Sequence, residues 1–267
     1  MAITTLAGVQ AGLQAPVYFN KTLSSGGASG RPWSTFFYYG FPAAAAAPTP
    51  GLAGAALTSY KNQIPFTNPT SGNTYLGRLQ ISANVGGTVL LCDRLWHNSG
   101  ITITSTSAQT INSVTWPARD SNGATSGEDV LIGVEVSTAT GAGTPTLSMT
   151  YTNSAGTGSR TATNVIATVA TTAIGGFYPL GLAAGDVGVQ SIQDFTLSAT
   201  WTSGTIHLVA YRVIAAIEIP TAASSASIDA LTSGFPQMFD NTVPFFVVIP
   251  SQSATPQISG QLIYTQG

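Results

Sequence analysis

The chain contains 267 residues, which is enough for one large all-β domain or two small ones. Only 18 residues are charged, eight Lys or Arg and ten Asp or Glu, so charged residues make up 7% of the chain against about 25% in an ordinary soluble domain. The net charge of −2 and the scattered cations argue against nucleic-acid binding, because neutralising phosphates needs several cations on one face.

Other classes are excluded by hydrophobicity and cysteine content. With 43% hydrophobic and 9% aromatic residues the chain is not expected to be disordered. Its longest apolar stretches, such as residues 213–219, are too short to cross a bilayer, so no membrane contact is expected. The single cysteine, Cys92, has no partner for an internal disulfide. The first 16 residues lack the basic region of a secretory signal.

Residues 1–75 show no clear periodicity and form the first of three predicted regions. They hold a run of alanines between prolines and a cluster of aromatic residues, namely Trp33, Phe36, Phe37, Tyr38 and Tyr39. Such a long aperiodic stretch is unusual inside a compact domain, yet it is too aromatic for a solvated linker. Two interpretations stay open: a meandering layer over the domain's own core, or an arm that packs on neighbouring subunits.

Residues 76–220 are predicted to form the body. Alternating apolar and polar residues recur between Gly, Asn and Ser turns, as in residues 101–104 and 147–152. Residues 130–136 fit a strand with Glu135 pointing outward. Residues 206–219 are more continuously apolar, which predicts a central, largely buried strand. The fold class is therefore all-β, with a β-sandwich or jelly-roll-like body and long irregular N- and C-terminal segments.

Residues 221–267 form the second irregular segment. The apolar run at 243–250, bracketed by prolines, contains Phe245, Phe246 and Val247. It is either the final core strand or a strand that binds a partner, with Pro244 at a strand start or an edge. Residues 258–264 are predicted to form a last strand.

No motif predicts a metal site. Zinc needs three or four ligands, and the chain offers Cys92, Asp93 and His97 close together, so a buried cysteine and a histidine in the following turn are expected. The acidic segment that begins at Asp120 fails the EF-hand pattern, because Gly123 stands at position 4, and a turn that carries its acids into water is predicted.

Catalytic constellations are also missing from the sequence. There is no G-x-S-x-G elbow and no phosphate loop, so we expect no enzyme activity, no catalytic residue and no cofactor. His207 lies in an apolar strand and is predicted to be a core or interface histidine. A metal on an oligomer axis, with one ligand from each chain, stays open for His97, His207 and Asp129.

Three segments resemble virion structural proteins of tailed double-stranded-DNA bacteriophages, of the kind that decorate or cement a capsid. They are residues 90–101 (LLCDRLWHNSGI), residues 130–136 (VLIGVEV) with 146–156 (TLSMTYTNSAG), and residues 184–192 (AGDVGVQSI) with 208–212 (LVAYR). The resemblance covers about residues 76–220. It implies a β-sandwich or jelly roll, commonly a homotrimer, that sits on a shell, with no catalytic residues to carry over.

The resulting hypothesis is a non-enzymatic virion protein whose partners are copies of itself and the major capsid protein. Its assembly contacts are predicted at the aromatic cluster 33–39 and at Phe245, Phe246 and Val247. Deletion of residues 1–40 is expected to leave a folded body that no longer joins the particle. The alternatives are a receptor- or carbohydrate-binding β-sandwich, which an exposed Trp116 or Trp201 would favour, and another shell or tail subunit, such as a small jelly-roll capsid protein.

Overall fold

Antiparallel strands supply nearly all of the regular structure in the computed structural model, which describes residues 3, 5–23 and 27–267. The predicted all-β sandwich class is confirmed. One short helix, α1 (Leu6–Ala11), precedes the strands. In chain order these are β1 (Val17–Thr22), β2 (Trp33–Ser34), β3 (Tyr39–Phe41), β4 (Ala55–Ala56), β5 (Thr74–Ala83), β6 (Gly87–His97), β7 (Gln109–Thr110), β8 (Val130–Thr138), β9 (Leu147–Asn153), β10 (Arg160–Asn164), β11 (Phe177–Gly181), β12 (Val189–Leu197), β13 (Thr205–Ile219), β14 (Ser224–Asp229), β15 (Gln237–Met238), β16 (Pro244–Pro250) and β17 (Gln257–Gln266).

The strands form two compact units, and each is assembled from separate stretches of chain. Unit 1 contains residues up to 45, 59–93 and 213–267, and unit 2 contains residues 46–58 and 94–212. The long strands β6 and β13 supply residues to both units. The predicted boundaries at 75/76 and 220/221 match neither unit, because strand pairing joins the two ends of the sequence in unit 1.

Unit 1 is a sandwich of two strand layers. One sheet has the order β14-β5-β17-β1-β3, with β15 beside β5, and the other layer has the order β2-β16-β6-β13. Apolar side chains from both layers fill the interior, and the rings of Phe19 on β1 and Phe246 on β16 meet with centroids 4.6 Å apart. Alternate residues of β1 and β5 face this core, which explains their period-2 burial.

Strands β1 and β3 of the N-terminal segment are part of this sandwich, which agrees with the interpretation of a layer over the domain's own core. Strand β1 pairs with β17 on one side, from Val17↔Leu262 to Thr22↔Gln257, and with β3 on the other. Phe19 is fully buried between the layers. Deletion of residues 1–40 would remove β1 from between β17 and β3, so we now expect this deletion to destabilise unit 1 and not to leave an intact folded body.

The C-terminal segment is also folded into unit 1. The run that begins at Pro244 is the core strand β16, which pairs with β6 and β2, and Pro244 is its first residue as anticipated. The predicted last strand is β17, which lies between β5 and β1. The interpretation of residues 243–250 as a core strand is therefore confirmed.

Unit 2 contains a curled antiparallel sheet with the order β13-β8-β11-β10-β9-β12-β7, and β4 beside the end of β6. The segments that lead into β8 and β12 meet at an isolated bridge between Glu128 and Gly188, and both strands contribute buried side chains to the core of this unit. Three tryptophans are buried there, namely Trp96, Trp116 and Trp201. Gly133 on β8 leaves space for the ring of Phe177, since a Cβ at this position would lie 2.2 Å from the Cζ atom of that ring.

Candidate functional site

Most of the side chains predicted to form an assembly interface lie inside unit 1. Six of the eight are buried, and the list is Trp33, Phe36, Tyr38, Phe245, Phe246 and Val247. Burial leaves these six little surface for a partner. The ring of Phe36, for example, packs against Tyr60 at 5.1 Å and against Phe245 at 6.2 Å.

The remaining two members of the predicted set behave differently. Phe37 is half-buried and stands edge-on to Phe36, whereas Tyr39 on β3 is 57% exposed. Tyr38, which directly precedes β3, is fully buried, so these two sequence neighbours differ sharply in exposure. The interface role of the set stays a prediction, and Tyr39 is its one well-exposed member.

Two further aromatic side chains are exposed beside Tyr39. Tyr18 on β1 is 52% exposed, and Phe41 on β3 is 55% exposed. Their rings lie 6.0 Å apart between centroids with an angle of 28° between planes. We call Tyr18, Tyr39 and Phe41 the aromatic trio. Tyr18 and Phe41 were not predicted as site residues from the sequence. The signal for Tyr18 was its period-2 spacing with the polar residues Asn20 and Thr22, which places it on the same face of β1.

The aromatic trio stands at one end of the outer face of the β14-β5-β17-β1-β3 sheet. We use outer face for the outward side chains of these five strands. The pairing register places them in rows across the strands. One row runs Ser225, Ser82, Ser259, Asn20, Phe41; a second runs Ser227, Gln80, Gln261, Tyr18; a third runs Gln257, Thr22, Tyr39. Hydroxyl and amide side chains therefore lead directly to the exposed rings.

A shallow depression of about 390 Å³ lies on the same face. Its wall includes Ser82, Asn84, Ser225, Gln257 and Ser259, and none of its lining residues is charged. Gln257 connects the depression to β1, because its Nε2 lies 3.5 Å from Oδ1 of Asn20. The depression and the aromatic trio thus belong to one continuous surface of unit 1.

Unit 2 contains a buried ionic cluster. The guanidinium of Arg94 on β6 donates through Nη2 to Oε2 of Glu135 on β8 at 2.7 Å, and both side chains are fully buried. The expectation that Glu135 points outward is wrong, because β8 is buried on both faces over most of its length. Arg119, also buried, donates to the backbone carbonyls of Leu57 and Arg94.

Both histidines of the chain lie in this cluster and are held neutral. Nε of Arg94 donates to Nδ1 of His97 at 3.2 Å, and Nδ1 of His207 donates to the carbonyl of Asn98 at 2.9 Å while its Nε2 accepts from the Ser137 hydroxyl at 2.7 Å. Burial, with the Arg94 charge second, lowers the pKa of His97 to about 2. Burial also lowers the pKa of His207 despite the nearby Glu135 carboxylate.

These positions bear on the metal hypothesis. His207 is a core histidine, as one of the two interpretations held, and His97 ends strand β6 and is not in a turn. Of the three residues considered for an oligomer axis, only Asp129 is exposed. In the part of the chain that the structure describes, no group of three or more His, Cys, Asp or Glu side chains could hold a metal ion.

Asp120 organises its own loop. Its Oδ1 accepts from the amides of Asn122 and Ala124 at 2.9 and 2.8 Å, and its Oδ2 accepts from the Ser126 hydroxyl at 2.8 Å and the Gly127 amide at 3.0 Å. These hydrogen bonds lower the pKa of the carboxyl although burial opposes them. The prediction that this turn carries its acids into water is wrong for Asp120, which is fully buried.

The tryptophans do not form a glycan platform. An exposed Trp116 or Trp201 would have favoured a carbohydrate-binding role, but both side chains are buried in the core of unit 2. In the described part of the chain, no helix is both long enough and apolar enough to cross a bilayer.

Comparisons with known proteins find no sequence relative and only weak structural similarity. The sequence matches no family model and no curated protein at a significant level. Among solved structures, the infectious bursal disease virus VP2 subviral particle is similar with 10% sequence identity over 96% of this chain and 80% of that chain, at a TM-score of 0.20. The Gt strain of the same virus gives 8% identity over 95% and 80%, at a TM-score of 0.21. Scores of this size establish neither a common fold nor a common role.

Proposed function

We propose that the chain is a non-enzymatic virion structural protein that decorates or cements a phage capsid through contacts with copies of itself, as a homotrimer, and with the major capsid protein. The location that follows is the capsid surface. The resemblance of residues 76–220 to such proteins suggests this role, and the placement of charge in the structure supports it.

The supporting observation is that many of the few charged side chains are buried. Seven of the 18 charged side chains are buried, and the list is Lys21, Asp93, Arg94, Arg119, Asp120, Glu135 and Arg212. The solvent-facing surface is therefore even poorer in charge than the composition indicates. Ions lose hydration when an interface closes and their pairing often fails to repay that loss, so a surface of hydroxyls and amides associates at a smaller cost.

A neutral surface also predicts how association responds to salt. Contacts between charged patches weaken as the Debye length falls from about 30 Å at 0.01 M to about 3 Å at 1 M salt. Contacts made by Ser, Thr, Asn and Gln side chains should hold over that range. Salt-insensitive binding to shells is thus the behaviour expected of this chain.

The experiment is to purify the virus particles encoded with this chain, measure its copy number by quantitative mass spectrometry, and mix the purified protein with shells made without it. Copy numbers in a simple ratio to the major capsid protein, with binding that salt leaves unchanged, support the proposal. A chain that is missing from particles and does not bind such shells contradicts it. Light scattering of the free protein tests the trimer.

The alternative is a receptor- or carbohydrate-binding module of a tail fibre, and the exposed aromatic trio is the observation that favours it. A copy number far below that of the major capsid protein would support this alternative. A copy number equal to that of the shell subunit itself, in particles with no other shell protein, would identify a small capsid protein.

A further inference from the structure

We propose that the outer face of unit 1 binds a neutral oligosaccharide, with the aromatic trio as its stacking surface and the adjacent depression as its hydrogen-bonding end. The inference deepens the carbohydrate-binding alternative and does not depend on the shell role. It rests on five strands of one unit, and of the aromatic trio only Tyr39 belongs to the predicted assembly set.

The aromatic trio provides the apolar half of such a site. Tyr18, Tyr39 and Phe41 are each more than half exposed, which is unusual for large rings in a folded chain whose four tryptophans are all buried. An aromatic ring has a negative face, and the C–H groups on one side of a sugar ring are weakly positive, so the two pack together. Tyr18 and Phe41, 6.0 Å apart and tilted by 28°, present two such rings within the reach of a short glycan.

The depression provides the polar half. Its hydroxyl and amide side chains, including Ser82, Ser225, Ser259 and Gln257, can both donate and accept hydrogen bonds, which matches the mixed character of sugar hydroxyls. Its volume of about 390 Å³ lies at the small end of the range for small-ligand sites. From Ser82 the row crosses β17 and β1 to Phe41 on β3, a span of about 14 Å at the usual strand spacing.

The charge of the outer face determines the kind of sugar. The charged side chains among its outward positions are Arg78 and Asp229, which the register places opposite each other on β5 and β14, away from β3. Lys21, although it lies on β1 between Asn20 and Thr22, points inward and donates to the carbonyls of Tyr38, Pro42 and Ala43. The one cation among these outward positions, Arg78, thus lies opposite a carboxylate and on the side of the face away from the aromatic trio, so the ligand class is an uncharged glycan.

The size of the face separates a glycan from a protein partner. Five strands about 4.8 Å apart and about six residues long cover roughly 500 Å², counting about 3.4 Å per residue. A stable protein interface buries about 800 Å² on each partner. The face is too small for a stable dimer through itself alone, and it is ample for two to four sugar rings.

The test is isothermal titration of the intact chain with four neutral probes, namely short oligomers of glucose, galactose, mannose and N-acetylglucosamine, and with one sulfated oligosaccharide. We expect at least one neutral probe to bind and the sulfated one not to bind. Tyr39→Ala and Phe41→Ala should each weaken binding roughly tenfold, a change in the range of a lost aromatic contact. Leu231→Ala, at a side chain that is 76% exposed and outside the outer face, is the matched control.

A second variant keeps the test independent of the folding of β3. Ser259→Glu introduces a charge in the wall of the depression and changes no aromatic residue. It should abolish binding while circular dichroism and the thermal midpoint stay close to wild type. The proposal is overturned if no neutral probe binds, if the sulfated probe is preferred, or if both aromatic variants bind as tightly as Leu231→Ala. It is also overturned if light scattering shows an oligomer that Phe41→Ala dissolves, since a second copy would then occupy the face.

Discussion

Replacement of Glu135 by Gln removes the counter-charge of a cation that has no access to water. Oε2 of Glu135 lies 2.7 Å from Nη2 of Arg94, and neither side chain has measurable exposure. Gln keeps the shape of Glu, so the main change is electrostatic: a guanidinium stays buried without its carboxylate. Breaking a buried pair in this way costs about 3–5 kcal/mol. For a chain of this size that lowers the thermal midpoint by roughly 6–20 °C.

The assay is urea denaturation followed by tryptophan fluorescence, which reports mainly on unit 2 because three of the four tryptophans lie in its core. The matched control is Glu218→Gln on β13, whose exposed carboxylate accepts a hydrogen bond from Thr88 at 2.7 Å and should matter by about 1 kcal/mol or less. Arg94→Met combined with Glu135→Leu should recover most of the loss, since an apolar pair needs no hydration. A loss of stability for Glu135→Gln no larger than that for Glu218→Gln would contradict this prediction, as would a double variant less stable than Glu135→Gln alone.

Three further predictions concern other buried groups. Burial lowers the pKa of His97 to about 2 and also lowers the pKa of His207, so below pH 6.5 the unfolded chain takes up protons that the folded chain does not. The free energy of unfolding should therefore fall with decreasing pH, by up to about 1.4 kcal/mol per pH unit for each histidine. Urea midpoints that do not move between pH 7 and pH 4 would contradict this. Gly133→Ala should cost about 1–3 kcal/mol, because its Cβ would meet the Phe177 ring at 2.2 Å, while Gly158→Ala, whose Cβ would have 3.6 Å to its nearest neighbour, should be nearly neutral in the same denaturation series. Lys21→Met should cost about 1–3 kcal/mol through the loss of donors to three buried or half-buried carbonyls, and equal midpoints for it and the exposed control Lys61→Met would rule that out.

Periodicity predicted the strands whose faces differ in burial. Strand β9 alternates buried and half-buried residues along its length, and its pattern was visible in the sequence. The long strand β13 was predicted from its nearly continuous apolar run, and the last strand β17 was also predicted. The proline-bracketed run at 243–250 was read as a possible core strand, and Phe246 does meet Phe19 in the core of unit 1.

Periodicity failed where burial depends on distant partners. Strand β8 is buried on both faces, so alternation could not show that Glu135 turns toward Arg94, 41 residues away in sequence. Asp120 is enclosed by the amides of its own turn, and composition cannot distinguish such a loop from a solvated one. A run of acidic residues therefore contains little information on which carboxylate is buried.

The aromatic trio could not be predicted from the sequence, because its exposure also depends on pairing between distant strands. The cluster 33–39 was correctly singled out as aromatic, but its interior and exterior members differ only in the register of β3 with β1. That register places Tyr39 opposite Thr22 and Phe41 opposite Asn20 on the outer face, while Tyr38 is buried. The pairing of β1 with β17 spans about 240 residues, and no local pattern reveals it.

The pairing of β1 with β17 has a consequence for the order of folding. Every residue of unit 2 has left the ribosome once residue 212 has emerged. The sheet of unit 1, in contrast, lacks its middle strand β17 until residues 257–266 have emerged. Contacts so distant in sequence slow folding. Until β17 has been synthesised, β1 and β5 each keep an unpaired edge. Unit 2 should therefore fold first during synthesis, and unit 1 is the part at risk of exchanging a strand with a neighbouring nascent copy.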